Sequence, residues 1–102
     1  MDDLIWNRCC LNIYASPEVI SNNVKYNGKC SDIWSLGIIL YFLLTKKYPF
    51  MHKNIKVLFK LITKGDFSLD GLNSKYSNLL KDMLNINPLD RPKIDQIIKL
   101  FV

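Results

Sequence analysis

Few residues in this chain have the type and spacing needed to carry out a reaction. His52 is the single histidine, and it has neither a Ser-His-Asp nor a Cys-His context. Cys9, Cys10 and Cys30 are odd in number and two are adjacent, which suits neither a disulfide framework nor a zinc site. No metal site is expected from them. Gly28, Gly37, Gly65 and Gly71 are too scattered to form a loop that cradles phosphates. The remaining candidate is electrostatic: Lys53, Lys56, Lys60 and Lys64 form a stripe that could meet phosphate groups. No aromatic interleaving or recognition motif accompanies it, so it reads as a solvated face and no nucleic-acid partner is expected.

Composition agrees with that restraint. The 102 residues suffice for one small domain, burying roughly 60–70% of the surface the unfolded chain exposes. Apolar content of 49% and charged content of 23% are ordinary for a globular chain. The net charge of +5 comes mostly from lysines, read as spread over a solvated surface. Unpaired thiols suggest a reducing, intracellular and cytoplasmic setting. The acidic start, Met-Asp-Asp-Leu-Ile-Trp, lacks the layout of a signal peptide. The longest apolar run, Ile38 to Leu44, falls far short of the roughly 20 residues a membrane helix needs, so no membrane partner is expected.

The elements that must position any site are helical. Ser16-Pro17-Glu18 reads as a helix start, with Ser16 as N-cap. Asn27-Gly28 signals a turn, and a helix from about Ile33 to Thr45 follows, ended as a unit by Pro49. Its apolar residues cover every face, which predicts burial nearly all round. The next helix, about Asn54 to Lys64, is amphipathic and stops at Gly65. Ser74 should cap a helix carrying Tyr76, Leu79, Leu80, Met83 and Leu84, broken at Asn87-Pro88. Ile94, Ile97, Ile98 and Phe101 then repeat at helical spacing. The expectation is an all-α unit of about five helices around a buried central helix.

Five motif-like segments occur in a fixed order. Tyr14-Ala15-Ser16-Pro17-Glu18 resembles the Ala-Pro-Glu motif of the eukaryotic protein kinases, with Ser in place of Ala. Asp32-Ile33-Trp34-Ser35-Leu36-Gly37, beginning fourteen residues after Glu18, is similar to the Asp-x-Trp-Ser-x-Gly motif of that family's central helix. Tyr48-Pro49-Phe50 and Gly65-Asp66-Phe67 sit where the family has its Pro-Phe and Gly-x-Phe elements. Leu84 to Pro92 resembles the stretch holding the family's invariant arginine, here Arg91. From residue 9 to the end, the chain therefore resembles the helical C-terminal half of a kinase C-lobe. Leu43 to Phe50 most resembles serine/threonine kinases of the calmodulin-dependent and AMP-activated type.

That resemblance implies roles. Glu18 and Arg91 should pair across the lobe, a carboxylate–guanidinium contact that can be bidentate. Asp32, an ordinary N-cap on its own, would in the family accept hydrogen bonds from the catalytic-loop backbone. Trp34 and Gly37 are core packing on either reading. Tyr14 resembles the tyrosine lining the pocket for the residue after the phosphorylated one. The resemblance also implies that residues 1–102 form a partial kinase domain, with the N-lobe, catalytic loop and metal-binding motif lying upstream. ATP and Mg are expected only for a complete parent, and protein substrates or partners are the expected ligands. Two departures stand out: Leu11 occupies a position where a hydroxyl residue is usual, and Lys93 stands where a helix-capping Thr or Ser is common. No His-Arg-Asp sequence occurs, and Gly65-Asp66-Phe67 has the letters of Asp-Phe-Gly in another order. No catalytic or cofactor-binding residue is assigned, and the chain alone is expected to be inactive. A non-catalytic protein-interaction module is the alternative. An uncovered side of the central helix should drive self-association.

Overall fold

A computed structural model describes residues 13–21 and 28–102. Cys9, Cys10, Leu11, the acidic N-terminal run and the polar stretch through Asn27 lie outside the described residues. Helices α1 (Pro17–Ile20), α2 (Gly28–Thr45), α3 (Ile55–Lys64), α4 (Ser74–Met83) and α5 (Ile94–Lys99) follow in order, with a 3-10 turn at Pro88–Asp90 before α5. Among the described residues there is no strand, so the unit is all-α with five α-helices. None of the described helices is long and apolar enough to cross a membrane.

Helix α2 starts earlier than its periodicity predicts. It begins at Gly28, so Asp32 is an exposed residue inside the helix and not its N-cap. Lys29, Cys30 and Ser31 contain no breaker, and the Ser31 hydroxyl is engaged with Glu18 instead of capping a local amide. At the other end, Lys46 takes a left-handed φ of 61°, and its N–H donates to the Phe42 carbonyl at 2.7 Å. The helix therefore closes before Pro49 is reached.

Burial on α2 is one-sided, which corrects the expectation of burial all round. Ile33, Trp34, Gly37, Ile38 and Tyr41 are buried, at the spacing of one helical face. Leu36, Ile39 and Leu43, at i, i+3 and i+7, are exposed, Leu43 by 61%. The buried face meets α4 at close range. A Cβ on Gly37 would lie 3.0 Å from the Leu84 side chain and 3.1 Å from Met83 Cβ. Even a methyl there would require Leu84 or Met83 to give way by a few tenths of an ångström.

The main core gathers Trp34, Ile38, Tyr41, Phe50, Leu58, Ile62, Leu80 and Leu84, with Ile13 beside them. Each such side chain fully buried contributes about 1.5–3 kcal/mol of transfer free energy. Trp34 stacks on Phe50 at 5.7 Å, and Phe67 meets Phe50 and Tyr41 edge-on. The Pro-Phe and Gly-x-Phe elements thus supply aromatic filler around α2. A second cluster of Ile33, Leu79, Met83 and Ile97 anchors α5.

The helix ends show how local chemistry was partly misassigned from spacing. Asn54 caps α3 by accepting from the Lys56 and Val57 amides, and Gly65 closes it at φ 74°. Asn73, not Ser74, caps α4 through the Tyr76 amide. Helix α4 already ends at Met83, ahead of Asn87-Pro88, and Asn87 caps the 3-10 turn instead. Ser16 precedes α1 in extended geometry, but its side chain does not cap. Lys93 has no acceptor to offer α5, yet the Gln96 side chain reaches back to its N–H at 2.8 Å, recovering half of a capping box. Of the α5 stripe only Ile97 is buried; Ile94, Ile98 and Phe101 are about half exposed.

Candidate functional site

Glu18 is brought into the interior by α1, and Arg91 follows the 3-10 turn. The two meet 73 residues apart in sequence as a bidentate pair: Arg91 Nη1 to Glu18 Oε2 at 2.6 Å and Nη2 to Oε1 at 2.8 Å. Both side chains are almost wholly buried, at 1% and 6% exposure. Taking two charges out of water costs several kcal/mol per ion, so the pair persists only if every remaining donor and acceptor is used.

They are used. Arg91 Nε donates to the Asn85 carbonyl at 2.8 Å, Nη1 also to the Cys30 carbonyl at 2.9 Å, and Nη2 to the Ile86 carbonyl at 3.4 Å. All five guanidinium N–H groups are thereby matched. The Ser31 hydroxyl donates to Glu18 Oε2 at 3.0 Å, and Ser16 donates in turn to Ser31 at 3.1 Å. Trp34 presents its ring 5.1 Å from the Arg91 guanidinium carbon, a cation–π contact. One node therefore ties α1, the start of α2, the segment after α4 and the entry to α5.

Electrostatics follow from those contacts. Burial pushes the Glu18 carboxyl upward, but the Arg91 hydrogen bonds and charge, with help from its own backbone amide and Ser31, hold it below the usual carboxylate range. Glu18 stays ionised under ordinary conditions. A carboxylate so fully engaged holds a structure together and is poorly placed to move a proton.

Beside the node lies an open cleft of about 370 Å³ lined by Tyr14, Ser16, Val19, Gly28, Ser31, Asp32 and Ser35. Tyr14 and Asp32, far apart as motif residues, face this one cleft. Ser35 fixes the Tyr14 backbone by donating to its carbonyl at 2.8 Å. The Tyr14 ring packs edge-on against Tyr48, their hydroxyls 3.1 Å apart. Asp32 is exposed, and among the described residues its carboxylate makes no hydrogen bond or ion pair. Trp34 is fully buried, and its indole N–H has no partner among the described residues. Gly37 lies on the core side, away from the cleft.

Sequence reasoning missed Ser16 and Ser31 as members of the node, and the carbonyls of Cys30, Asn85 and Ile86. A carbonyl has no residue signature, so nothing in the sequence could have pointed to those three. A serine two residues before Glu18 and another just ahead of Asp32 were visible but had no pattern of their own.

Comparison with known proteins places this geometry. The protein kinase domain model matches residues 2–101. The carbon catabolite-derepressing protein kinase of Candida glabrata is 45% identical over 87 residues, 84% of this chain and 14% of the relative. CBL-interacting protein kinase 20 of Oryza sativa is 34% identical over 99 residues, 96% of this chain and 21% of the relative. Tribbles homolog 3 of Rattus norvegicus is 34% identical over 91 residues, 88% of this chain and 26% of the relative. The chain thus spans about a quarter or less of the length of these relatives. With a family match over nearly its whole length and a helical architecture that agrees, this chain belongs to the protein kinase domain family.

Proposed function

We propose that the chain is the C-terminal helical part of a serine/threonine protein kinase domain and does not transfer phosphate by itself. The observation that carries this reading is the cleft that joins Tyr14 and Asp32 beside the Glu18–Arg91 node, within a chain matched by the kinase family along residues 2–101. In the complete parent, Tyr14 would line the substrate pocket and Asp32 would hold the catalytic-loop backbone. Glu18, Trp34, Gly37 and Arg91 would brace that surface from below. The parent would use ATP and Mg to place the terminal phosphate on serine or threonine hydroxyls of proteins.

The residues present do not fit ATP and Mg. Phosphoryl transfer needs a loop over the phosphates, a lysine, metal-holding side chains and a base. Among the described residues no three His, Cys, Asp or Glu side chains cluster where they could hold a metal ion, and Asp32 is the only carboxylate on the cleft. Gly65 and Gly71 are the glycines with left-handed φ, and they close a helix and a turn. No step of the reaction is assigned to this chain.

The test is a phosphotransfer assay on the purified chain with ATP, Mg and a mixed Ser/Thr peptide, alongside thermal melts with and without ATP. No transfer and no ATP-dependent shift are expected; measurable turnover would overturn the inactive reading. Reading the gene upstream of Met1 for in-frame His-Arg-Asp and Asp-Phe-Gly codons tests the parent. A stop codon there would favour a second reading, a non-catalytic kinase-like module that binds proteins.

A further inference from the structure

The lysines are not evenly spread, as their reading as a solvated surface assumed. Lys46, Lys47, Lys53, Lys56, Lys60 and Lys64 lie between Asp32 and Asp66 with no carboxylate among them, and all are exposed. A surface that only needs solubility usually intersperses both signs. On α3, Lys56, Lys60 and Lys64 fall within an arc of about 80°, taking 3.6 residues per turn. That arc is turned away from the buried Leu58 and Ile62.

This row is held against its own electrostatics. Successive members stand four residues apart, where like charges repel. Lys56 also occupies the first turn, where no acidic residue offsets the positive end of the helix dipole. Lys64 reaches Asp66 at 3.6 Å, but both side chains are more than 70% exposed, so water screens most of that contact. An anionic partner would relieve every one of these terms.

We propose that this face of α3 docks an extended, acidic protein segment with carboxylates at alternate positions. Lys56, Lys60 and Lys64 are spaced about 6 Å apart along the helix axis. Alternate residues of an extended chain present their side chains on one face about 6.6 Å apart. A row of carboxylates can therefore meet the row of ammonium groups one to one. The arc holds the three lysines alone, flanked about 20° to either side by Thr63 and the half-buried Val57, and carries no large apolar side chain, which disfavours insertion into a lipid surface. It also offers no exposed aromatic ring on which bases could stack. The proposal deepens the protein-partner part of the functional reading by naming the partner's chemistry, and it does not depend on phosphoryl transfer.

Fluorescence anisotropy of a labelled peptide of alternating Glu and Ser, titrated with the whole chain without ATP, tests it. Saturable binding that weakens with added salt is expected. Lys56→Glu with Lys60→Glu should weaken it about tenfold, and the paired Lys→Gln substitutions about threefold, at unchanged helicity by circular dichroism. No binding, binding unchanged in the Gln variant, or tighter binding to oligothymidylate or to phosphatidylserine vesicles would overturn it. Because no nucleotide is present, an active kinase in the phosphotransfer assay would leave this result standing.

Discussion

Near its start, helix α2 lends Ser31 and the Cys30 carbonyl to a buried carboxylate–guanidinium pair. Further along, on another face, the same helix leaves Leu36, Ile39 and Leu43 in water. Charges are inside and branched aliphatics outside, the reverse of what hydropathy alone would assign. The difference lies in partners. Glu18 and Arg91 can be buried because every donor is matched, whereas the leucines find no facing element among the described residues. Burial on this helix follows from what each face meets and not from how apolar it is.

The largest effect should come from breaking the charged side of that contrast. Arg91→Ala leaves the Glu18 carboxylate buried without its counter-ion and should cost about 3–5 kcal/mol, read from urea unfolding followed by circular dichroism. A loss below about 1 kcal/mol would mean that the node is not the brace its hydrogen bonds suggest. Titration should unpick the same contact more gently. Glu18 has its carboxyl held below the ordinary value of 4.5, so its contribution is fully present above that pH and fades as pH falls through the lower folded value. Melting temperature should therefore drop on acidification below about pH 4.5, and Glu18→Gln should flatten that part of the profile.

Filling the close contact on the core side should come next. Gly37→Ala places a methyl about 3 Å from Leu84 and Met83, and overpacking of this kind costs about 1–3 kcal/mol in the same unfolding experiment. The smallest change in stability should come from the outer face. Leu36→Ser, Ile39→Ser and Leu43→Ser each remove an exposed apolar side chain and should stay within about 0.5 kcal/mol. Their effect should appear in sedimentation velocity, where the unsubstituted chain is expected to self-associate and the triple variant to move toward monomer. If the triple variant unfolds cooperatively but far more easily than the parent, that face is packed in solution and the contrast fails.

Much of this was legible in residue order. The stop at Gly65, the apolar spacing of α3 and α4, and the kinase-like motif series all follow from local chemistry that spacing records. Some misreadings were local, as where Asn73 rather than its neighbour Ser74 caps α4, but at Ser16 and at the start of α2 the cause was non-local. Asp32 looked like a cap because an apolar run begins after it, but Ser31 and Cys30 are recruited by Glu18 and Arg91, and the helix extends back to Gly28 to present them. Ser16 looked like a cap for the same local reason and instead donates to a serine on another helix. The lysine stripe was visible in the spacing of Lys53, Lys56, Lys60 and Lys64, and the structure adds that these side chains are exposed.

The sequence by itself determined the helical class, the family and the identity of the two charges that matter most. Motif order and periodicity are written in neighbouring residues and need no tertiary contact to be read. Only the tertiary structure decided which faces are buried, which carbonyls complete the Arg91 shell, and that Tyr14 and Asp32 share a cleft. Those outcomes depend on segments up to 73 residues apart arriving together, and backbone carbonyls and facing surfaces carry no letter in the chain.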